Sequence, residues 1–247
     1  MKKIRFLIVF AAGIFLAASH GQNANDGQKK HPIDIQMDKD IEANSSNSGL
    51  YEAYEKATKA WDKEMNKNYK TLMKSYNDGS GERGVCRKKL QTAQEAWLAF
   101  WKDETLFNGY YWSLFDGSMY ATYSTYYNLY LLRKRAFELV YYFEKHPYSC
   151  ATYFDENTDV KTEEEWDKML NEKYKMLMAR LKKDNQNRLR AAQRKWIAYR
   201  DAEDDCYNSC NLLTDNPDYR LNIVRERALR LEKYVNDYDE CPDCLKK

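Results

Sequence analysis

Apolar residues recur at three- and four-residue steps along most of the chain. From Leu50 onward, Tyr54, Ala57, Trp61, Met65, Tyr69, Leu72 and Tyr76 form one stripe, the pattern of an amphipathic helix. "NDGSGERG" then supplies turn residues that end it. A second stripe runs through Leu90, Ala93, Trp97, Phe100, Trp101, Glu104 and Phe107, and "DGS" at Asp116 to Ser118 predicts a hairpin tip. A third helix returns with Leu129, Leu132, Ala136, Leu139 and Phe143 on one face, stopping near His146-Pro147.

The plan is then written again. Thr162 and Glu165 have the spacing of a capping box, just ahead of Trp166. Trp166, Leu170, Tyr174, Leu177 and Leu181 mark a fourth helix, and Leu189, Ala192, Trp196, Tyr199 and Glu203 a fifth. "TDNPD" places Asn216 at a cap and Pro217 at the first helical position. Leu221, Val224, Ala228, Leu231 and Val235 complete a sixth. "WDKEMNKNYKTLM" from Trp61 and "WDKMLNEKYKMLM" from Trp166 agree at eight of thirteen positions. "AQEAWLAF" from Ala93 matches "AQRKWIAY" from Ala192, and "RKRAFEL" from Arg133 matches "RERALRL" from Arg225. The offset shrinks from 105 to 99 to 92 residues, so the first unit has the longer connections. The predicted fold is all-α, with two tandem antiparallel three-helix units at residues 48–150 and 158–247. Each unit is expected to bury its own core and to fold alone.

Ahead of these units, residues 1–21 read as a signal peptide. Lys2, Lys3 and Arg5 precede the apolar "FLIVFAAGIFLAA", and the small residues Ser19 and Gly21 precede a cut before Gln22. No Cys follows the apolar run to take a lipid; an uncleaved membrane anchor is the competing reading. Residues 22–47 are expected to be a mobile leader containing a short helix capped by Asp34, which "NSSNSG" interrupts. The chain carries 40 Lys and Arg against 38 Asp and Glu, and the first 21 residues hold three of the cations and no carboxylate. The remainder therefore stands at −1, too little positive charge for a nucleic-acid binder. After cleavage the chain is expected in the periplasm or secreted, peripheral to or free of the membrane.

Candidate chemistry changes this picture little. Beyond residue 21 the only histidines are His31 and His146, one in the leader and one beside a helix-ending proline, and no Gly-rich phosphate loop is present. Neither a cofactor nor a metal is expected. Glu163 to Glu165 and Asp201, Glu203, Asp204 and Asp205 read as solvated helix surface. Glu104 and Arg135 of the first unit recur as Glu203 and Arg227, and are predicted to form register-setting ion pairs across the helical hairpins. Gln94 and Gln193, beside the Trp stripes, are predicted to make interhelical hydrogen bonds.

"NGYYWSLFDGSMYATYSTYY" is the most unusual stretch, and it has two readings. Its rings extend the core stripe, or they form an exposed contact surface of the kind Tyr and Trp favour. Tyr110, Tyr111, Trp112 and Phe115 are the candidate partner-binding residues. Cys206, Cys210, Cys241 and Cys244 have a zinc-like spacing. An exported chain meets an oxidising compartment, however, and a helix of about twenty-two residues would hold the two pairs roughly 33 Å apart. Disulfides are therefore expected. A hairpin centred near residue 118 sets Cys86 opposite Cys150, a bridge worth about 4 kcal/mol in the chain-entropy model. Cys206 with Cys210 and Cys241 with Cys244 are left to close locally.

"HPIDIQMDKDIE", "AWDKEMNKNYKTLM", "AQRKWIAYRDAE" and "RERALRLEKY" together resemble the repeat unit of the LprI-type lysozyme-inhibitor family of exported bacterial proteins. The second unit carries the pattern through Leu170, Asn171, Tyr174, Gln193, Trp196, Arg200, Asp201, Arg227 and Leu231. The first carries it through Asn66, Tyr69, Gln94, Trp97 and Arg135, with Trp101 and Lys102 where Arg-Asp is expected. Members of this type often have a Cys pair in the first segment, where Asp40 and Ala53 stand here. The resemblance implies a non-catalytic protein that binds a protein partner, a c-type lysozyme in the specific version. The alternative is an envelope scaffold or adaptor for another periplasmic protein. A cell-wall hydrolase would require paired carboxylates to converge in the fold.

Overall fold

The computed structural model describes residues 29–76, 81–141, 161–210 and 219–240. Seven helices lie among them: α1 (Pro32–Ala43), α2 (Asn47–Ser75), α3 (Gly81–Trp112), α4 (Met119–Tyr141), α5 (Glu163–Arg180), α6 (Lys183–Ser209) and α7 (Tyr219–Glu240). The protein is all-α, and the internal repeat relates α2–α4 to α5–α7. Among the described residues no helix is long and apolar enough to cross a membrane.

Local chemistry sets most helix starts. The capping box forms: the Glu165 amide donates to Thr162 Oγ1 at 3.3 Å, and the Thr162 amide donates to Glu165 Oε2 at 2.7 Å. Ser46 caps α2 by accepting from the Gly49 amide at 3.1 Å. A Cβ on Gly49 would lie 2.2 Å from the Asn44 carbonyl oxygen, so the tight α1–α2 joint requires glycine there. Gly117, at φ +130°, turns the chain between α3 and α4. The α7 cap expected at Asn216 and the end of α4 expected near His146 fall outside the described residues.

The leader differs from its expectation. Asp34 does not cap α1; His31 does, its Nδ1 accepting from the Ile33 amide at 3.2 Å with Pro32 opening the helix. Asp34 is instead a buried tie. It accepts from Trp61 Nε1 at 3.2 Å and from Arg133 Nε at 2.9 Å, while the His31 ring stacks on Trp61 with centroids 4.4 Å apart. These contacts dock α1 against α2 and α4.

The expected stripes are the buried faces, but their partners are not those the hairpins suggest. The first and third helices of each unit lie parallel: Tyr54 meets Tyr126 and Trp61 meets Phe137 between α2 and α4. Lys173 meets Glu232 and Arg180 meets Asp239 between α5 and α7. The middle helices leave their own units and pack on each other antiparallel, α3 along α6. At the centre of that pair Phe100 and Tyr199, equivalent positions of the repeat, stack with rings 5.8 Å apart and planes 2° off parallel. Self-contact of equivalent residues marks a local two-fold axis, the geometry of an isologous interface folded into one chain. Leu72, Leu90, Phe107, Leu132, Trp166, Leu189 and Leu231 consequently belong to one contiguous core rather than to the two separate cores expected. α4, covered on several sides, is buried almost all round in its second half.

Candidate protein-binding surface

The two-fold axis brings the repeated charged residues together across units. Arg135 donates through Nε to Gln94 of its own unit at 2.9 Å and through Nη1 to Glu203 of the other at 2.8 Å. Arg227 repeats the arrangement with Gln193 at 2.9 Å and Glu104 at 2.8 Å. Both glutamines make the interhelical bonds expected of them. Each ion pair exists, but it joins the two units instead of closing one hairpin, because α3 faces α6. All four charged residues are buried. Removing one partner of such a pair would cost about 3–5 kcal/mol, since the other charge would be stranded.

Lys134 and Glu226 also occupy equivalent positions, and they pair with each other near the axis. Burial works against the Lys134 ammonium, but Glu226 and Glu138 outweigh it and hold its pKa well above the ordinary lysine value. Like charges at those two places would face each other, so this substitution between the repeats favours pairing within the chain.

Glu104 and Glu203 are each neutralised by an arginine, and neither lines the interior cavity of about 40 Å³. It is lined by Trp97, Phe100, Trp196 and Tyr199 with Lys134, Glu138, Glu226 and Arg227; Lys134 pairs with both carboxylates, and the size suits a water rather than a substrate. His31 is occupied as a cap and in ring stacking; His146 lies outside the described residues. Among the described residues no three His, Cys, Asp or Glu side chains are grouped to hold a metal.

The aromatic tip resolves in favour of packing for three of its four candidate contact residues. Tyr111, Trp112 and Phe115 are buried. The Tyr111 hydroxyl donates to the Tyr234 carbonyl at 2.6 Å and its ring lies 4.5 Å from that of Tyr234. Burial, with Asp237 adding to it, pushes the Tyr111 pKa far up. The stripe simply continues past Phe107 to cover α7. Tyr110 points the other way: it is 44% exposed, with the Arg188 guanidinium 3.4 Å over its ring.

The cysteines depart furthest from expectation. Cys86 is bridged to Cys210, Cα atoms 5.4 Å apart, and neither to Cys150 nor through a local Cys206–Cys210 bond. Cys86 opens α3 and Cys210 closes α6, and the antiparallel pairing brings those two ends together. Cys206 is an unbridged buried thiol, its pKa pushed up to about 12 by burial and the neighbouring Glu203. Cys150, Cys241 and Cys244 lie outside the described residues.

What remains for a partner is surface, and one part of it has shape. Where the Tyr110 end of α3 meets the first turns of α6, an open groove of about 360 Å³ is lined by Asp103, Leu106, Asp184, Asn187, Arg188 and Ala191. Leu106 is 47% exposed. None of these six stood out as a motif. The available signal is a mismatch between the repeats, since the positions matching Asp103 and Leu106 are Ala202 and Asp205.

A family model described as lysozyme inhibitor LprI matches residues 40–139 and 160–231, taking in both units. No curated protein matches the chain. Among solved structures, an uncharacterized protein from Burkholderia thailandensis has the same fold, with a TM-score of 0.65 and 25% sequence identity. That likeness covers 84% of this chain and 98% of the Burkholderia chain.

Proposed function

Because the chain belongs to the LprI lysozyme-inhibitor family, we propose that it is an exported, non-catalytic protein that binds a c-type lysozyme and blocks it. The observation that carries this reading is the family match over both units. The interior is in keeping with it, since its carboxylates are spent on ion pairs that hold the units together. A lysozyme cleaves its substrate with two carboxyl groups flanking the glycosidic bond, deep in a cleft. An inhibitor needs only to cover that cleft with a rigid surface; an interface of about 1,600 Å² is the usual size for a stable complex. Pre-organisation by a buried ionic layer and a cross-unit disulfide keeps the ordering cost of binding low. The signal-like residues 1–21 would deliver the chain to the periplasm or outside, where such an enzyme acts and where the disulfide is stable.

The test uses the purified chain from Gln22 onward with its disulfide intact. It should slow lysis of bacterial cell walls by a c-type lysozyme in proportion to complex formed, with both measured in the same buffer. Binding without inhibition would favour the scaffold reading. Absence of binding would remove the lysozyme reading.

A further inference from the structure

The α3/α6 pair should look the same at both ends of its two-fold axis, and it does not. At the end holding the disulfide, Lys89 pairs with Asp205, so the carboxylate is neutralised within the protein. The equivalent positions at the other end are Arg188 and Leu106, and the ion pair is absent there because the carboxylate has become an apolar side chain. Arg188 turns onto Tyr110 instead, and its Nε is buried without a hydrogen-bond partner among the described residues. Two new carboxylates line the same groove, Asp103 from α3 and Asp184 from α6. Neither forms an ion pair or hydrogen bond among the described residues. Their counterparts at the disulfide end are Ala202 and Val85, which carry no charge.

We propose that this groove is where the partner lysozyme inserts a basic side chain. The proposal rests on the inhibitor reading and names its contact surface. A lysine or arginine has an apolar stem and a charged head, and the groove offers both counterparts: Leu106 and Ala191 for the stem, Asp103 and Asp184 for the head. Arg188 is held over Tyr110 rather than against either carboxylate, so an inserted cation would meet two carboxylates without an ion-pair partner among the described residues. Exposed Tyr110 extends the contact along α3 as a rigid ring already held in place by Arg188. The volume is at the lower end of the range for sites that enclose a ligand, about 300–1,000 Å³, which suits one side chain rather than a whole small molecule.

Isothermal titration of the full exported chain with a c-type lysozyme tests this, alongside three variants. Leu106→Arg, which places a like charge in the groove, and the double variant Asp103→Asn with Asp184→Asn should each weaken binding at least about tenfold. The double variant should also make the salt dependence of affinity shallower. Lys89→Gln with Asp205→Asn, at the disulfide end, should change affinity by less than about twofold. Circular dichroism melts must stay near the wild type for the comparison to count; if Leu106→Arg unfolds, the Asp103/Asp184 variant, both of whose side chains line an open groove, decides alone. Wild-type binding with the groove variants within about twofold would overturn the groove and leave the inhibitor reading standing. A wild-type chain that does not bind lysozyme would overturn both.

Discussion

The two ends of the α3/α6 pair are built from matching positions of the repeat and do opposite things. One end is closed: Cys86 is bonded to Cys210, and Lys89 is paired with Asp205. At the other, Asn185 stands where Cys86 would be and Tyr111 where Cys210 would be. There the helices are held by packing, with Tyr111 buried against Tyr234 and α7, and the outward side is left as a groove. The repeat supplies a frame in which the Gln94–Arg135–Glu203 contacts recur as Gln193–Arg227–Glu104. A covalent lock at one end lets the other carry unpaired charge and exposed apolar side chains, features that weaken a fold but recognise a partner.

The largest effect expected is on the second unit expressed alone. Residues 158–247 include α6 without α3, so the face of Leu189, Trp196 and Tyr199 that α3 covers would be exposed to water. The fragment should show helical signal with a broad, non-cooperative melt in circular dichroism. A sharp transition would mean that each end of the α3/α6 pair belongs to a unit stable without the other.

Next comes the closed end. Cys86→Ser opens a loop spanning 124 residues of sequence, so the chain-entropy model predicts a loss of about 4–5 kcal/mol in urea unfolding. Non-reducing peptide mapping of the wild type should show Cys86 linked to Cys210. A Cys86–Cys150 peptide would contradict the antiparallel packing itself.

Between the ends, the two buried ion pairs should prove unequal. Glu104→Gln strands Arg227, for about 3–5 kcal/mol. Glu203→Gln should cost less, because Arg135 keeps Glu138 at 3.1 Å as a second carboxylate. Equal losses in urea unfolding would show that Glu138 adds nothing to the layer. At the open end, Tyr111→Phe removes one buried hydrogen bond and should lower stability by about 1–2 kcal/mol. Leu106→Ser, on the exposed side of the same helix, should stay within about 0.5 kcal/mol of wild type. A larger loss would mean that the groove is part of what holds that end together.

Much of this architecture is present in the linear pattern. The stripe through Leu90, Trp97 and Phe107 is the buried face of α3, and continuing it by four-residue steps reaches Tyr111 and Phe115, which identifies those rings as core. The Thr162 capping box, the turn at Gly117 and the matched Gln, Glu and Arg of the two units are likewise legible, because each depends on residues close in sequence or on a simple repeat. What covers each stripe is not. Six amphipathic helices present similar apolar faces, and any of several pairings would bury comparable area, so the partner of a stripe is decided by the packing free energy of the whole chain. Choosing α6 over α4 as the neighbour of α3 is the tertiary decision from which the rest follows. It turns the Glu–Arg pairs from hairpin clasps into cross-unit ones and sends Cys86 to Cys210. It also sets Asp103 and Asp184, eighty-one residues apart in the chain, along the same groove.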